Sequence, residues 1–249
     1  MFEATLAGED LDDVLTPVTT IVDECRFHLN DDELATSAVD PANVAMVDFA
    51  VDRAQFEEYN ADGELVGLNL ERFGSIAGMA DKDDNVRLGT TENNRLNINI
   101  NDQLSYNLNL IDPDSIRDEP DIPDLDVAAE VTLTGADLNF GIEAAEMVSD
   151  HVALRADPDA EAFYIEAEGD TDDVDFELDA DDDLEAFEAD EEVASLFALD
   201  YLSDMASAIP DDALLTINLG DELPVIMEYE VFDGNGDVTF MLAPRIEAD

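Results

Sequence analysis

Apolar residues in this chain recur with two periods, and the period switches in the same order twice. Leu11, Val14, Leu15, Val18 and Val22 follow steps of three and four, which return to one face of a 3.6-residue turn and predict an amphipathic helix. Pro17 falls inside that stripe and lacks a backbone donor, so a kink or an early end is expected there. Comparable stripes are Phe73, Ile76 and Ala77 after Leu70, then Leu138, Ile142, Ala145 and Val148, then Leu202, Met205, Ala206 and Ile209 before Pro210. Between them the period is two: Leu96, Ile98 and Ile100; Leu104, Tyr106, Leu108 and Leu110; Phe163, Ile165 and Ala167; Val174, Phe176 and Leu178; Val238, Phe240 and Leu242. Such strands bury one face and wet the other, the habit of antiparallel sheets. Four short helices among more numerous strands make an α+β chain.

The change from helix to strand that runs from Leu11 through Phe27 and Leu29 recurs from Leu138 through Val152 and Leu154. Taking Asp23 and Asp150 as equivalent gives an offset of 127, Leu70 and Leu199 give 129, and Leu110 and Leu242 give 132, which points to an internal duplication. Two domains are expected, at 1–111 and 125–249. The connector between them is 112–124, where Pro113, Pro120 and Pro123 alternate with acids and neither period holds.

With 249 residues, 46% of them hydrophobic, the chain has ample material for two cores. The charge changes the picture: 66 acidic residues face 9 basic ones, a net charge of -57, and Lys82 is the one lysine. Two like charges 10 Å apart repel by roughly 0.4 kcal/mol in water. Much of that survives at a Debye length of about 8 Å and almost none at the ~3 Å of molar salt, so a salt-filled cytoplasm is the expected setting. The start MFEATLAGEDLDD lacks a basic region followed by an apolar one, and no apolar run is long enough to span a bilayer, so no membrane partner is expected. Cys25, the single cysteine, sits near Val22 and Phe27 and reads as a small core residue.

Candidate chemistry is sparse. His28 and His151 are the only histidines, and with one cysteine they complete no zinc site. Lys82 has no glycine-rich phosphate loop before it. The stretch Asp233-Gly234-Asn235-Gly236-Asp237 begins like a calcium loop, but Val238 and Pro244 stand where glycine and glutamate are needed, so it reads as a hairpin turn. Neither catalysis nor a metal or cofactor is expected.

Specific strings carry more information: MFEA at the start, DPANVAMV at Asp40 to Val47, GLNL at Gly67 to Leu70, LIDPDSI at Leu110 to Ile116, FALDYL at Phe197 to Leu202 and MLAPRIE at Met241 to Glu247. In that order, around a central connector, they resemble the sliding clamps of the proliferating cell nuclear antigen family over the whole chain. The resemblance implies the DNA clamp fold: two similar domains, each with antiparallel sheets and two helices that line a ring. It implies a homotrimer encircling duplex DNA, a processivity factor for the replicative DNA polymerase. It also implies a docking platform for flap nuclease, ligase and other proteins with clamp-binding tails, opened by a clamp loader. The family's partner-peptide pocket maps onto Val39, Asn43, Val44 and Met46, Pro120, Ile122 and Pro123 of the connector, Pro224, and Met241, Ala243 and Pro244 of the tail. The subunit interface maps onto a strand with Tyr106, Leu108 and Leu110 and another with Val174, Phe176 and Leu178.

One departure from the family stands out. The outward helix positions read Asp10, Asp13 and Thr20; Arg72, Ser75 and Gly78; Asn139, Glu143 and Glu146; and Ser203, Asp204 and Ser207, so Arg72 is the one basic DNA-facing residue. Attraction to phosphate cannot hold such a clamp on DNA. Closure around the duplex, with cations screening two negative surfaces, is the expected substitute. Two rival readings remain open here: a DNA-mimicking decoy for basic proteins, and a specialised clamp paralog serving repair or a mobile element.

Overall fold

The computed structural model describes residues 1–120, 125 and 127–245. Two compact units divide it, Met1–Pro120 with Val231–Val238, and Asp121–Glu230 with Thr239–Asp249. The first contains β1 (Glu3–Ala7), α1 (Gly8–Ile21), β2 (Glu24–Leu29), β3 (Glu33–Val39), β4 (Ala45–Asp52), β5 (Glu58–Asn60), β6 (Glu64–Asn69), α2 (Leu70–Ala77), β7 (Asn85–Thr91), β8 (Arg95–Ile100) and β9 (Leu104–Asn109). The second series is β10 (Ala129–Thr134), α3 (Gly135–Glu146), β11 (His151–Asp157), β12 (Ala162–Glu168), β13 (Asp173–Asp179), β14 (Ala186–Ala189), β15 (Val193–Ala198), α4 (Leu199–Ala208), β16 (Leu214–Leu219), β17 (Val225–Val231) and β18 (Gly236–Leu242).

The two series have the same order, one strand, a helix, five strands, a helix, three strands. Their hydrogen bonding repeats too. In the first, β5-β1-β7-β8-β9 and β4-β3-β2-β6 are adjacent; in the second, β14-β10-β16-β17-β18 and β13-β12-β11-β15 are. The pairs are antiparallel, as the alternation predicts. The duplication extends to single bonds. Leu70 N–H opens α2 by donating to Asp23 O at 2.9 Å, and Leu199 N–H opens α4 by donating to Asp150 O at 3.0 Å, the pairs that define the offsets of 127 and 129. At the other helix starts, Gly8 N–H donates to Asp84 O and Gly135 N–H to Ala213 O, both at 2.9 Å. A Cβ on Gly8 would meet Asp81 O at 2.2 Å and one on Gly135 would meet Pro210 O at 2.1 Å, so both positions require glycine.

Each helix turns the predicted stripe inward: Leu11, Val14, Leu15 and Val18; Phe73, Ile76 and Ala77; Leu138, Ile142 and Ala145; Leu202, Met205 and Ala206 are all buried. Three expectations at the helix ends and at Pro17 need correcting. α1 runs through buried Pro17 to Ile21 without breaking. Proline brings no N–H of its own to the helix, and the burial of Val14 and Leu15 before it and of Val18 and Ile21 after it offsets that loss. Val22 is the C-cap of α1 in extended conformation, and Ile21 takes its place in the core. Val148 lies beyond the Met147 cap of α3, held to Ala145 O by a 3.0 Å turn bond, and is half-buried. The segment between β17 and β18 is a turn, with Phe232 and Asp233 at φ 58° and 54° and Gly234 at 87°. Cys25 is free and buried, and desolvation pushes its thiol pKa up to about 12.

Candidate functional site

The motif Asp40-Pro41-Ala42-Asn43-Val44 closes the β3–β4 hairpin. Val39 and Met46 stand opposite each other at its base. Asp40 is 4% exposed, and its carboxylate accepts three backbone N–H bonds: Val44 at 2.7 Å and Ala45 at 2.9 Å to Oδ1, and Ala42 at 2.8 Å to Oδ2. Its own N–H donates to Ala45 O at 2.9 Å, and its carbonyl accepts from Asn43 N–H at 3.1 Å. Asn43 adopts φ 60°, a conformation asparagine tolerates better than most residues. The carboxylate thus fixes a loop whose tip, Pro41 to Asn43, is exposed while Val39, Val44 and Met46 are half-buried.

The start of the connector is not featureless, as its lack of periodicity suggests. Asp112 accepts Asp114 N–H at 3.1 Å and caps a 3₁₀ turn, Pro113–Ser115. Ile111 N–H donates to Gly67 O at 2.8 Å, and Ile116 is buried. Gly67, from the GLNL string, is required there, because a Cβ would lie 2.6 Å from Ile116 Cδ1 and 2.7 Å from Ile111 O. Three cationic or imidazole side chains then clasp the segment. Arg26 donates to Pro113 O at 2.9 Å and Ile116 O at 2.7 Å and pairs with Asp118 at 3.1 Å. His28 Nε2 lies 2.7 Å from Glu119 Oε1, and Arg117 donates to Asp40 O at 2.5 Å. The last bond ties the connector to the Asp40 loop. Burial first, opposed by Ser37 and reinforced by the charge of Glu119, raises the pKa of Asp48 on the same sheet face.

Sequence reasoning missed this clasp, although a signal was present. Arg26 and His28 are two residues apart on one strand, hence on one face, in a chain with only 9 lysines and arginines, and the connector is rich in acids.

The other pocket candidates are placed as follows. Pro120 is half-buried at the end of the first unit. Ile122 and Pro123 lie outside the described residues. In the second unit Pro224, Ala243 and Pro244 are half-buried, while Met241 is 4% exposed and belongs to the core. Arg245 N–H donates to Leu196 O at 2.7 Å and lays the tail beside β15.

Both candidate interface strands end a row of hydrogen-bonded strands. β9 pairs with β8, and β13 pairs with β12. Leu108 and Leu178 are buried, Tyr106 is 43% exposed, and Val174 and Phe176 are half-buried; Leu110 lies just beyond β9, its N–H on Asn94 O at 3.1 Å. Beside β13, Phe140 of α3 is 64% exposed with its ring edge-on to Phe176 at 5.3 Å. The periodicity gave no warning of that exposed aromatic. Of the outward helix positions, Asp13, Arg72, Ser75, Gly78, Glu143, Glu146, Asp204 and Ser207 are exposed. Partial desolvation first, and then the charges of Asp10, Asp12 and Glu9, raises the pKa of the Asp13 carboxyl. Among the described residues no group of three or more His, Cys, Asp or Glu side chains is arranged to hold a metal, and no helix is long and apolar enough to cross a membrane.

A doubled unit of two helices and nine strands, with an apolar loop under a clasped connector, defines a two-domain clamp chain. Residues 1–116 match the N-terminal domain and 121–245 the C-terminal domain of proliferating cell nuclear antigen, and the chain belongs to that family. It is 50% identical, over the full length of both chains, to the DNA polymerase sliding clamp of Natronomonas pharaonis and to that of Haloarcula marismortui. Among solved structures it resembles the proliferating cell nuclear antigen of A. fulgidus bound to the C-terminal region of FEN-1, at 34% identity, complete coverage of both chains and a TM-score of 0.93. The homologue from Thermococcus kodakaraensis superposes with a TM-score of 0.90 at 26% identity, covering 98% of this chain and 100% of the other.

Proposed function

We propose that this chain is a DNA sliding clamp: a homotrimeric ring that encircles duplex DNA, keeps the replicative polymerase on its template and docks other replication and repair enzymes. The observation that carries the reading is the doubled unit itself, matched along nearly its whole length by both family domains. Domains 1–111 and 125–249, joined by 112–124, are the working units. The clamp performs no catalysis, and a clamp loader opens it.

Partners with clamp-binding tails, among them polymerase, flap nuclease and ligase, dock at the positions onto which the family's partner-peptide pocket maps: Val39, Asn43, Val44, Met46, Pro120, Ile122, Pro123, Pro224, Met241, Ala243 and Pro244. In support, the A. fulgidus relative was solved with a FEN-1 tail bound. One aromatic burying about 150–250 Å² gains roughly 4–6 kcal/mol gross, much of it offset by ordering a flexible tail. Micromolar affinity follows, weak enough for partners to exchange.

Ring closure joins the β9 edge (Tyr106, Leu108, Leu110) to the β13 edge (Val174, Phe176, Leu178) of the next subunit, because an edge with unpaired backbone groups pairs readily with another chain. With Arg72 as the one basic outward helix residue, topology replaces affinity on DNA, and the protein works in the cytoplasm of a cell rich in salt. The test is solution mass in molar potassium chloride: a particle of three 27.2 kDa chains is expected, and solitary chains would sink the ring.

A further inference from the structure

Strands β7, β8 and β9 contain no aspartate or glutamate, in a chain where 66 of 249 residues are acidic. Their shared outer face carries Arg87 and Gly89, then Arg95, Asn97 and Asn99, then Ser105, Asn107 and Asn109, placed side by side by the register Gly89↔Asn97↔Asn107 and Arg87↔Asn99↔Ser105. The amides are organised. Asn97 Nδ2 donates to Ser105 Oγ and to Asn107 Oδ1, both at 3.0 Å, which turns the Asn107 amide N–H groups away from Asn97. Arg87 is already paired with Asp102, while Arg95 is exposed and makes no ion pair among the described residues.

β13 is the opposite case. Asp173, Asp175, Glu177 and Asp179 alternate along its exposed face, with no ion pair to any of them among the described residues. Its other face is Val174, Phe176 and Leu178. β9 has the same alternation, Leu104, Tyr106 and Leu108 on one face and Ser105, Asn107 and Asn109 on the other. When two such edges pair, the period of two couples their faces: bringing the apolar sides together necessarily brings the polar sides together.

We infer that the acid-free amide face of β7–β9 recognises the carboxylate row of β13 on a second copy of this chain, through amide N–H groups and Arg95. This rests on the ring reading above and specifies the chemistry of its joint. Neutral donors suit the setting, since long-range attraction is lost at a Debye length of about 3 Å while a contact hydrogen bond is not. The arrangement also explains why the outer face of β9 has no acid: a like charge directly across from β13 would repel it.

The test is trimer dissociation in molar potassium chloride, followed by sedimentation. The double variant Asn107→Asp/Asn109→Asp is compared with Ser75→Asp/Ser207→Asp, which adds the same charge on exposed helix positions. Buried Cys25 remaining closed to thiol reagents verifies each fold. We expect the edge variant to weaken each joint about threefold, hence the three joints of a ring roughly thirtyfold, and the helix variant to leave the mass unchanged. Adding Asp173→Asn/Asp175→Asn/Glu177→Gln to the edge variant swaps amide and acid across the joint and should restore the trimer. If the edge variant behaves as the helix variant does, or the swap fails to restore, the amide recognition is wrong. Tyr106→Glu separates the two claims: if it dissociates the particle while the amide variants do not, the joint stands without this chemistry. If it leaves the particle whole, the joint itself is misplaced.

Discussion

Replacing Asp40 by alanine is the most informative single change at the β3–β4 loop. The carboxylate accepts from Ala42, Val44 and Ala45 at 2.7–2.9 Å and is 4% exposed. The Ala45 N–H is buried, and leaving it unpaired costs ~1–3 kcal/mol; the other two lie nearer solvent, where water substitutes and each costs about 0.5–1 kcal/mol. Asp40→Ala should therefore destabilise the first unit by about 3 kcal/mol. Asp40→Asn keeps one side-chain acceptor oxygen and should lose roughly 1–1.5 kcal/mol. The loop, no longer fixed in advance, has to order on binding, so a tail peptide should bind about tenfold more weakly to the alanine variant. The assays are thermal unfolding and peptide titration in molar potassium chloride. Equal melting and equal peptide affinity for wild type and Asp40→Ala would refute the idea that this carboxylate builds the loop.

Cys25, buried and with its thiol pushed up to about 12, should resist thiol reagents at neutral pH in molar salt and become reactive as dilution below about 0.5 M lets acidic repulsion open the fold; mass spectrometry of the alkylated chain reads this. Asp48 has a folded-state pKa raised by burial, so the folded chain binds a proton more tightly and stability falls as pH rises from the ordinary carboxylate value near ~3.9 through the raised one. Asp48→Asn should accordingly stabilise the protein at neutral pH and cease to do so below that window, measurable by unfolding across a pH series. Arg72→Glu should leave retention on closed circular DNA in molar salt unchanged, because capture there does not depend on phosphate contacts; faster loss of the variant from circles would count against that.

The duplication was legible because its signal is backbone deep. The offsets of 127 and 129 correspond to equivalent bonds from Leu70 to Asp23 and from Leu199 to Asp150, and helix and strand periods bracket both. Apolar stripes located the cores correctly, yet misjudged two ends: Val22, where a β-branched residue suits an extended cap as well as a helical turn, and Val148, which continues the apolar stripe into the turn after α3. The connector was harder. Its first residues, up to Glu119, are held by Arg26, His28 and Arg117 reaching across distances in sequence of 77 to 92 residues, and periodicity carries no trace of such contacts. The buried role of Asp40 was hidden for a different reason: among so many carboxylates, one that bonds backbone looks like any other until its neighbours are known. The acid-free run of β7–β9 was fully visible in the sequence, but its meaning depended on knowing that β9 and β13 are edges.

Geometric capture is the central claim, and retention on DNA before and after one cut tests it most directly. Labelled clamp is loaded onto a closed circle in molar potassium chloride, excess protein is removed, and the circle is linearised with ends either free or blocked by a bulky adduct. The account predicts retention on the intact circle and on blocked linear DNA, with prompt loss from free ends. Loss at equal rates from all three would contradict it.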